Sequence, residues 1–180
     1  MSKFGNWEVK FSPDKYPQKV ASAISNFNEE LLGASYKFIA YLAEQPVNGI
    51  NHALLAQQTI LTGKDVDNAV IVVLNEKTNS NDLSLAEIRC IVENGGELGG
   101  TKVDITLDIP DEAKDLWAAA FKDFVGSKIE ALAYIGAKSV KGLDHKFLAK
   151  VTPVVPNGKA ELSLVTINSL DKKTTFETVL

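Results

Sequence analysis

His52 and His145 are the only histidines in this 180-residue chain. Imidazole is the side chain whose ordinary titration falls near neutral pH, so each is a first candidate for acid–base or metal chemistry. Metal binding needs further Cys, His or carboxylate ligands at short spacing. Neither histidine has them. His52 stands in Gly49-Ile50-Asn51-His52-Ala53, and His145 in Gly142-Leu143-Asp144-His145-Lys146. In the second segment Leu143, His145, Phe147, Ala149 and Val151 alternate with Asp144, Lys146 and Lys150. That period of two predicts a strand, with His145 half-buried at a sheet end, and His52 is expected to sit likewise. Cys90 lies in Ala86-Glu87-Ile88-Arg89-Cys90-Ile91-Val92, where small or apolar residues alternate with charged ones, and reads as a buried strand residue rather than a reactive thiol. The carboxylates are scattered, and no Gly-x-Ser-x-Gly elbow, phosphate-binding Gly-Lys-Ser/Thr loop or dinucleotide fingerprint occurs. These residues predict binding rather than an enzyme, with no catalytic residue, metal or cofactor.

Composition narrows the partners. The net charge is −4 and no stretch concentrates Lys and Arg, so a nucleic-acid partner is not expected. No apolar run approaches the roughly 20 residues that span a bilayer, so no membrane partner is expected. No apolar stretch follows Lys3 as a signal peptide would require. The expectation is a cytoplasmic protein as written, or a secreted one if a leader has been removed. With one cysteine there is no intrachain disulfide, and the core alone must hold the fold.

The histidines belong to a larger self-similarity. At an offset of 93, residues 41–77 align with 134–170 without a gap. Tyr41, Val47, Gly49, His52, Leu55, Ala56, Thr59, Val72 and Asn75 meet identical residues, nine matches where chance would give about two. The elements that position them repeat too. Residues 7–11 alternate as a short strand, and Ser12-Pro13-Asp14 signals a helix start. Tyr16, Val20, Ala23, Ile24, Phe27 and Leu31 recur at helical spacing up to Gly33. Strands are predicted at 34–47, 50–61, 69–76 and 85–92. Asn48-Gly49 is a two-residue hairpin signal in which both positions would take positive φ. The second unit follows with a strand at 102–108, then a helix whose face is Ala113, Leu116, Trp117, Ala120, Phe121 and Phe124. Further strands are predicted at 127–140, 143–155, 159–170 and 174–180. The glycine-rich residues 94–100 read as a linker. The expectation is therefore an α+β protein of two units, 1–94 and 95–180, each with one helix packed on a four- to five-stranded antiparallel sheet. Edge strands leave a monomer or a homodimer open.

Gln45-Pro46-Val47-Asn48-Gly49, in the first hairpin after the helix, resembles the Gln-x-Val-x-Gly motif of the cystatin family, and Asn51 continues the match. The resemblance spans the chain as two cystatin-like units. It implies a reversible inhibitor of papain-like cysteine proteases whose N-terminal segment and two hairpin loops plug the active-site cleft. On that reading the protease-binding residues are Gly5, Gln45, Pro46, Val47, Asn48 and Gly49, with Gly99 and Gly100 matching Gly5 in the second unit. The motif is degenerate there, as Lys138-Ser139-Val140-Lys141-Gly142, and inhibition by that unit is not expected. The second loop of the first unit, 77–82, is polar where the family often carries Pro-Trp. The alternative is a non-inhibitory binding or scaffold module.

Overall fold

Long β-branched and aromatic runs separated by Gly, Asn and Pro turns set the architecture. The computed structural model describes residues 6–61, 63, 66–80, 82–94 and 100–180. The chain divides into two compact units, Met1–Ile91 and Val92–Leu180. In the first, β1 (Glu8–Ser12), β2 (Ala34–Val47), β3 (Gly49–Ile60), β4 (Val66–Glu76) and β5 (Leu83–Val92) lie side by side in chain order. Helices α1 (Gln18–Ser25) and α2 (Phe27–Glu30) join β1 to β2. In the second, β6 (Thr101–Thr106), β7 (Ser127–Val140), β8 (Gly142–Pro153), β9 (Glu161–Asn168) and β10 (Thr174–Thr178) form another five-stranded sheet in chain order, with α3 (Asp111–Phe121) between β6 and β7.

The expected α+β class, with one helix covering each sheet, is corrected by these proportions. Strand makes up 56% of the structure and helix 13%, so the chain is two antiparallel five-stranded sheets with short helical connections. The residues explain the shortfall. Pro17 keeps Tyr16 out of helical conformation, so the helix begins at Gln18 rather than after Ser12. Ser22 and Ser25 turn their hydroxyls onto the carbonyls of Gln18 and Ser22, a local bond that competes with the helical ladder. Asn26, at φ −106° and ψ 0°, then breaks the run, and only Phe27–Glu30 resumes it. Ala113 and Leu116 are buried on α3, which stops at Phe121 and leaves Phe124 exposed.

Val20 and Phe27 pack with Tyr36, Tyr41, Leu54, Val70, Val72 and Leu74 in the first core. Leu116 packs with Phe147, Val165 and Ile167 in the second. Leu55, Ile71 and Val73 point to the opposite face of the first sheet and are buried as well. A run as apolar as residues 69–74 is the pattern of a strand covered on both faces, which a single covering helix does not provide for. Cys90 is exposed, contrary to the alternation around it, because β5 is the last strand of its sheet and most of its residues face solvent.

Both sheets carry the same register irregularities. β2 has an extra residue between Phe38 and Ala40 and another between Tyr41 and Ala43. In β7 they fall between Ala131 and Ala133 and between Tyr134 and Gly136. Each bulge twists the strand and moves the following side chains to the other face. Two bulges restore the original alternation, and they deliver Gln45 and Val47 to the face that carries Asn51.

Candidate functional site

The β2–β3 hairpin is tighter than Asn-Gly alone predicts. Pairing continues to Val47 opposite Gly49, leaving only Asn48 between the strands. Gly49 takes φ +112°, while Asn48 is not in the left-handed region. A two-residue turn with positive φ at both positions is thus replaced by a turn that needs glycine at one. An added Cβ on Gly49 would lie 2.0 Å from the Glu76 carbonyl oxygen, because β4 runs directly alongside.

Directly opposed residues of antiparallel strands share a face. Gln45, Asn51 and Asn75 are opposed across β2, β3 and β4. Asn75 Nδ2 donates to Asn51 Oδ1 at 2.8 Å, and Asn51 Nδ2 donates to Gln45 Oε1 at 3.0 Å. This row of amides floors a groove of about 890 Å³, walled by Val47, Lys77, Thr78 and Ser84. A second groove, of about 600 Å³, lies between Val47, Gly49 and Ile50 of the hairpin and the loop at 77–80. Val47 and Thr78 line both, so the hairpin tip and the β4–β5 loop stand next to each other with a groove on either side. Pro46 and Asn48, flanking Val47, are exposed.

The other face of the same strands holds a polar chain that ends in the core. His52 is 3% exposed. Its Nε2 lies 3.2 Å from the Glu76 carboxylate and its Nδ1 2.8 Å from the Tyr41 hydroxyl. A carboxylate only accepts, so Nε2–H donates to Glu76 and the Tyr41 hydroxyl donates to Nδ1. Lys19 on α1 completes the chain through an ion pair with Glu76. The hydrogen bonds from Lys19 and then His52 hold the Glu76 carboxyl below its ordinary range. Burial, followed by Glu44 and Glu76, pushes the Tyr41 hydroxyl up. The chain braces the hairpin base. Removing its carboxylate strands a buried imidazole nitrogen, so Glu76→Ala should cost the first unit about 1–3 kcal/mol, read by denaturant unfolding.

The second unit differs at these positions. Tyr134 holds His145 Nδ1 at 3.0 Å, as Tyr41 holds His52. His145 is 5% exposed and its Nε2 has no hydrogen-bond partner among the described residues. Ser169 occupies the place of Glu76 and instead accepts from the Leu143 backbone N–H at 2.9 Å. Both histidines are therefore buried, deeper than the half-buried positions their alternation predicts. On the opposite face, Lys138, Asp144 and Asn168 replace the amide row. Asn168 Nδ2 donates to Asp144 at 2.8 Å. The adjoining groove, about 400 Å³, is lined by charged residues, including Lys141, Asp144, Asp171 and Lys173.

Of the residues expected to bind a protease, Gln45, Pro46, Val47, Asn48 and Gly49 lie together at this end of the first sheet. Gly5 lies outside the described residues, as do Asn81 of the second loop and Gly99. Asn51 was legible only as a continuation of the hairpin motif, and Asn75, Lys77, Thr78 and Ser84 were not singled out as site residues. Gln45 and Asn51 are equidistant from Asn48, and Asn51 and Asn75 from Gly63, so turn positions alone would have placed the three in one row. Among the described residues no group of three His, Cys, Asp or Glu side chains could hold a metal. No helix among the described residues is long and apolar enough to cross a membrane. No protein-family model matches the chain, and no curated protein matches it.

Proposed function

We propose that this protein is a reversible inhibitor of papain-like cysteine proteases, acting through the hairpin end of its first unit by occluding the active-site cleft. The observation that carries the reading is the position of Val47. It stands at the hairpin tip beside the loop at 77–80, with a groove on each side and exposed residues before and after it. A narrow ridge of two adjacent loops is a shape that enters a cleft. Val47 supplies apolar surface, Pro46 reduces the entropy lost on ordering the tip, and Gly49 permits the strand to return without a side chain. The cystatin-like motif at residues 45–49 supports the same partner, and the offset of 93 supports descent of both units from one duplicated ancestor.

No bond is made or broken in this mechanism. Papain whose thiol carries a small methylthio cap should therefore still bind, with one site per chain by calorimetry. Val47→Asp would bury a carboxylate in the cleft and should weaken binding at least tenfold. Val140→Asp, at the corresponding tip of the second unit, should leave it unchanged. Equal loss from both variants, or none from Val47→Asp, would reject the role of the first unit.

The second unit supports a different reading for its own hairpin. Lys138 and Asp144 replace Gln45 and Asn51, and charged residues line its groove. Those features favour a non-inhibitory binding surface for a polar partner.

A further inference from the structure

β10 ends the second sheet and, among the described residues, pairs with β9 alone. Its backbone has two sides. Asn168 N–H donates to the Lys173 carbonyl, and Val179 N–H to the Leu162 carbonyl. Bonding positions alternate along an antiparallel ladder, so residues 173, 175, 177 and 179 turn their backbone groups to β9. Thr174, Phe176 and Thr178 therefore turn theirs to the open edge. Such a row is a template for another strand, and sheet proteins usually guard it with charged side chains or bulges. The strands at the other sheet ends are guarded. β1 carries Glu8 and Lys10, β6 carries Lys102 and Asp104, and each has a register irregularity. β5 carries the Glu87–Arg89 ion pair. β10 pairs without irregularity, has Glu177 as its one charged residue, and holds Phe176 at its centre.

Phe176 is 44% exposed and Phe124 45%. Their ring centroids are 6.1 Å apart, and Phe121 lies 5.6 Å from Phe124 and 5.9 Å from Phe176. These rings form an aromatic cluster at the open edge. We propose that β10 is the site at which two copies of this chain pair, antiparallel about a two-fold axis through Phe176, joining two five-stranded sheets into one. The strand fits its own copy. With the axis at Phe176, Thr174 meets Thr178 and Phe176 meets its equivalent, and every outward backbone group of the strand finds a partner. Phe176 lies opposite Val165, on the sheet face that packs against α3, so the two aromatic clusters also come together there. On the other face Glu177 stands opposite Thr175 rather than opposite another carboxylate. Its diagonal neighbours are Lys173 and Glu177 of the other copy, so the row reads Lys-Glu-Glu-Lys and is neutral. This pairing does not depend on the proposed inhibitory function, because it uses the second unit and leaves the first-unit hairpin out.

Sedimentation equilibrium of the intact protein tests the pairing, run from about 10 μM to about 1 mM with reductant present so that the exposed Cys90 cannot link chains. The mass should rise from monomer toward dimer across that range. Phe176→Lys sets like charges opposite each other at the axis and should weaken association at least tenfold. Thr178→Pro removes an outward N–H, leaves the ladder to β9 in place, and should weaken association in the same direction. Amide exchange of the wild type gives a readout that needs no variant. On concentrating the protein, the amides of Thr174, Phe176 and Thr178 should exchange more slowly. Those of Thr175 and Glu177, already turned to β9, should not change. A monomer at about 1 mM, or a dimer that Phe176→Lys leaves as tight as the wild type, would overturn the proposal. So would association that leaves exchange at Thr174, Phe176 and Thr178 unchanged, and this outcome decides the matter if either variant fails to fold.

Discussion

Replacing Gly49 with alanine should destabilise the first unit by about 3 kcal/mol, the sum of overpacking against a neighbouring strand and an alanine forced to positive φ. The added Cβ would sit 2.0 Å from the Glu76 carbonyl oxygen and 3.2 Å from Lys77 Cα. Both are backbone atoms, so no side chain can rotate out of the way, and β3 must move from β4. A small domain is held by only about 5–15 kcal/mol, so this is a large share of its stability. Gly63→Ala isolates the conformational part. Gly63 has φ +88° but nothing among the described residues within 4 Å of an added Cβ, so its cost should be about 1 kcal/mol. Gly142→Ala should fall between them, because its nearest neighbours are side-chain atoms, the closest being Leu170 Cβ at 3.0 Å. Denaturant unfolding of the three variants gives the ordering. If Gly49→Ala costs no more than Gly63→Ala, the close approach of β4 is wrong. A larger substitution at Gly49 breaks the hairpin itself, so loss of binding in such a variant would not separate contact from folding.

Acid should loosen the second unit before the first. Burial holds the His145 imidazole below its ordinary value of 6.5, with Glu112 on α3 and Asp144 on β8 pulling it upward and Lys172 in the β9–β10 turn pushing it down. The Tyr134 hydroxyl, from β7, occupies its Nδ1. A folded state that binds its proton more weakly than the unfolded chain is stabilised at high pH. That stability is present in full above about 6.5 and is lost as pH falls toward and through the lower folded value. In the first unit, the His52 Nε2–H donates to the Glu76 carboxylate, a partner that His145 Nε2 lacks among the described residues. The Glu76 contribution is itself lost only as pH falls through its own lowered value, below the ordinary 4.5. Between those two windows the units should differ. Hydrogen exchange followed by peptide mass spectrometry, corrected for the intrinsic pH dependence of exchange, should show protection falling first in peptides from β7, β8 and β9. Ser169→Glu places a carboxylate where the first unit has one and should reduce that fall, although it gives up the bond that Ser169 Oγ accepts from the Leu143 backbone N–H. Equal loss of protection in both units on going from pH 7 to pH 5 would contradict the assignment.

The strands were legible because their signal is local. Alternation and β-branched runs placed β2, β3, β7 and β8 within a residue or two, and Asn48-Gly49 located the first hairpin. The helices were not, because apolar spacing from Tyr16 to Leu31 says where an apolar face would lie but not whether the backbone can keep the helix continuous. Pro17, the serines and Asn26 decide that. Cys90 shows the matching limit for strands: alternation identifies two faces, but whether either is buried depends on a strand's place in the sheet. At the site, residue type revealed Gln45 and Val47, whereas Asn51 and Asn75 acquire their meaning from register. His52 and His145 look alike in sequence, and only the residue two positions beyond the opposed one on the neighbouring strand, Glu76 or Ser169, separates them.

The most direct measurement is steady-state hydrolysis of a small fluorogenic substrate by papain, titrated with the intact protein. The account predicts reversible inhibition that is competitive with substrate, restored on dilution, and weakened at least tenfold by Val47→Asp with Val140→Asp as the unaffected comparison. Full protease activity at micromolar protein, or inhibition that survives Val47→Asp unchanged, would contradict it.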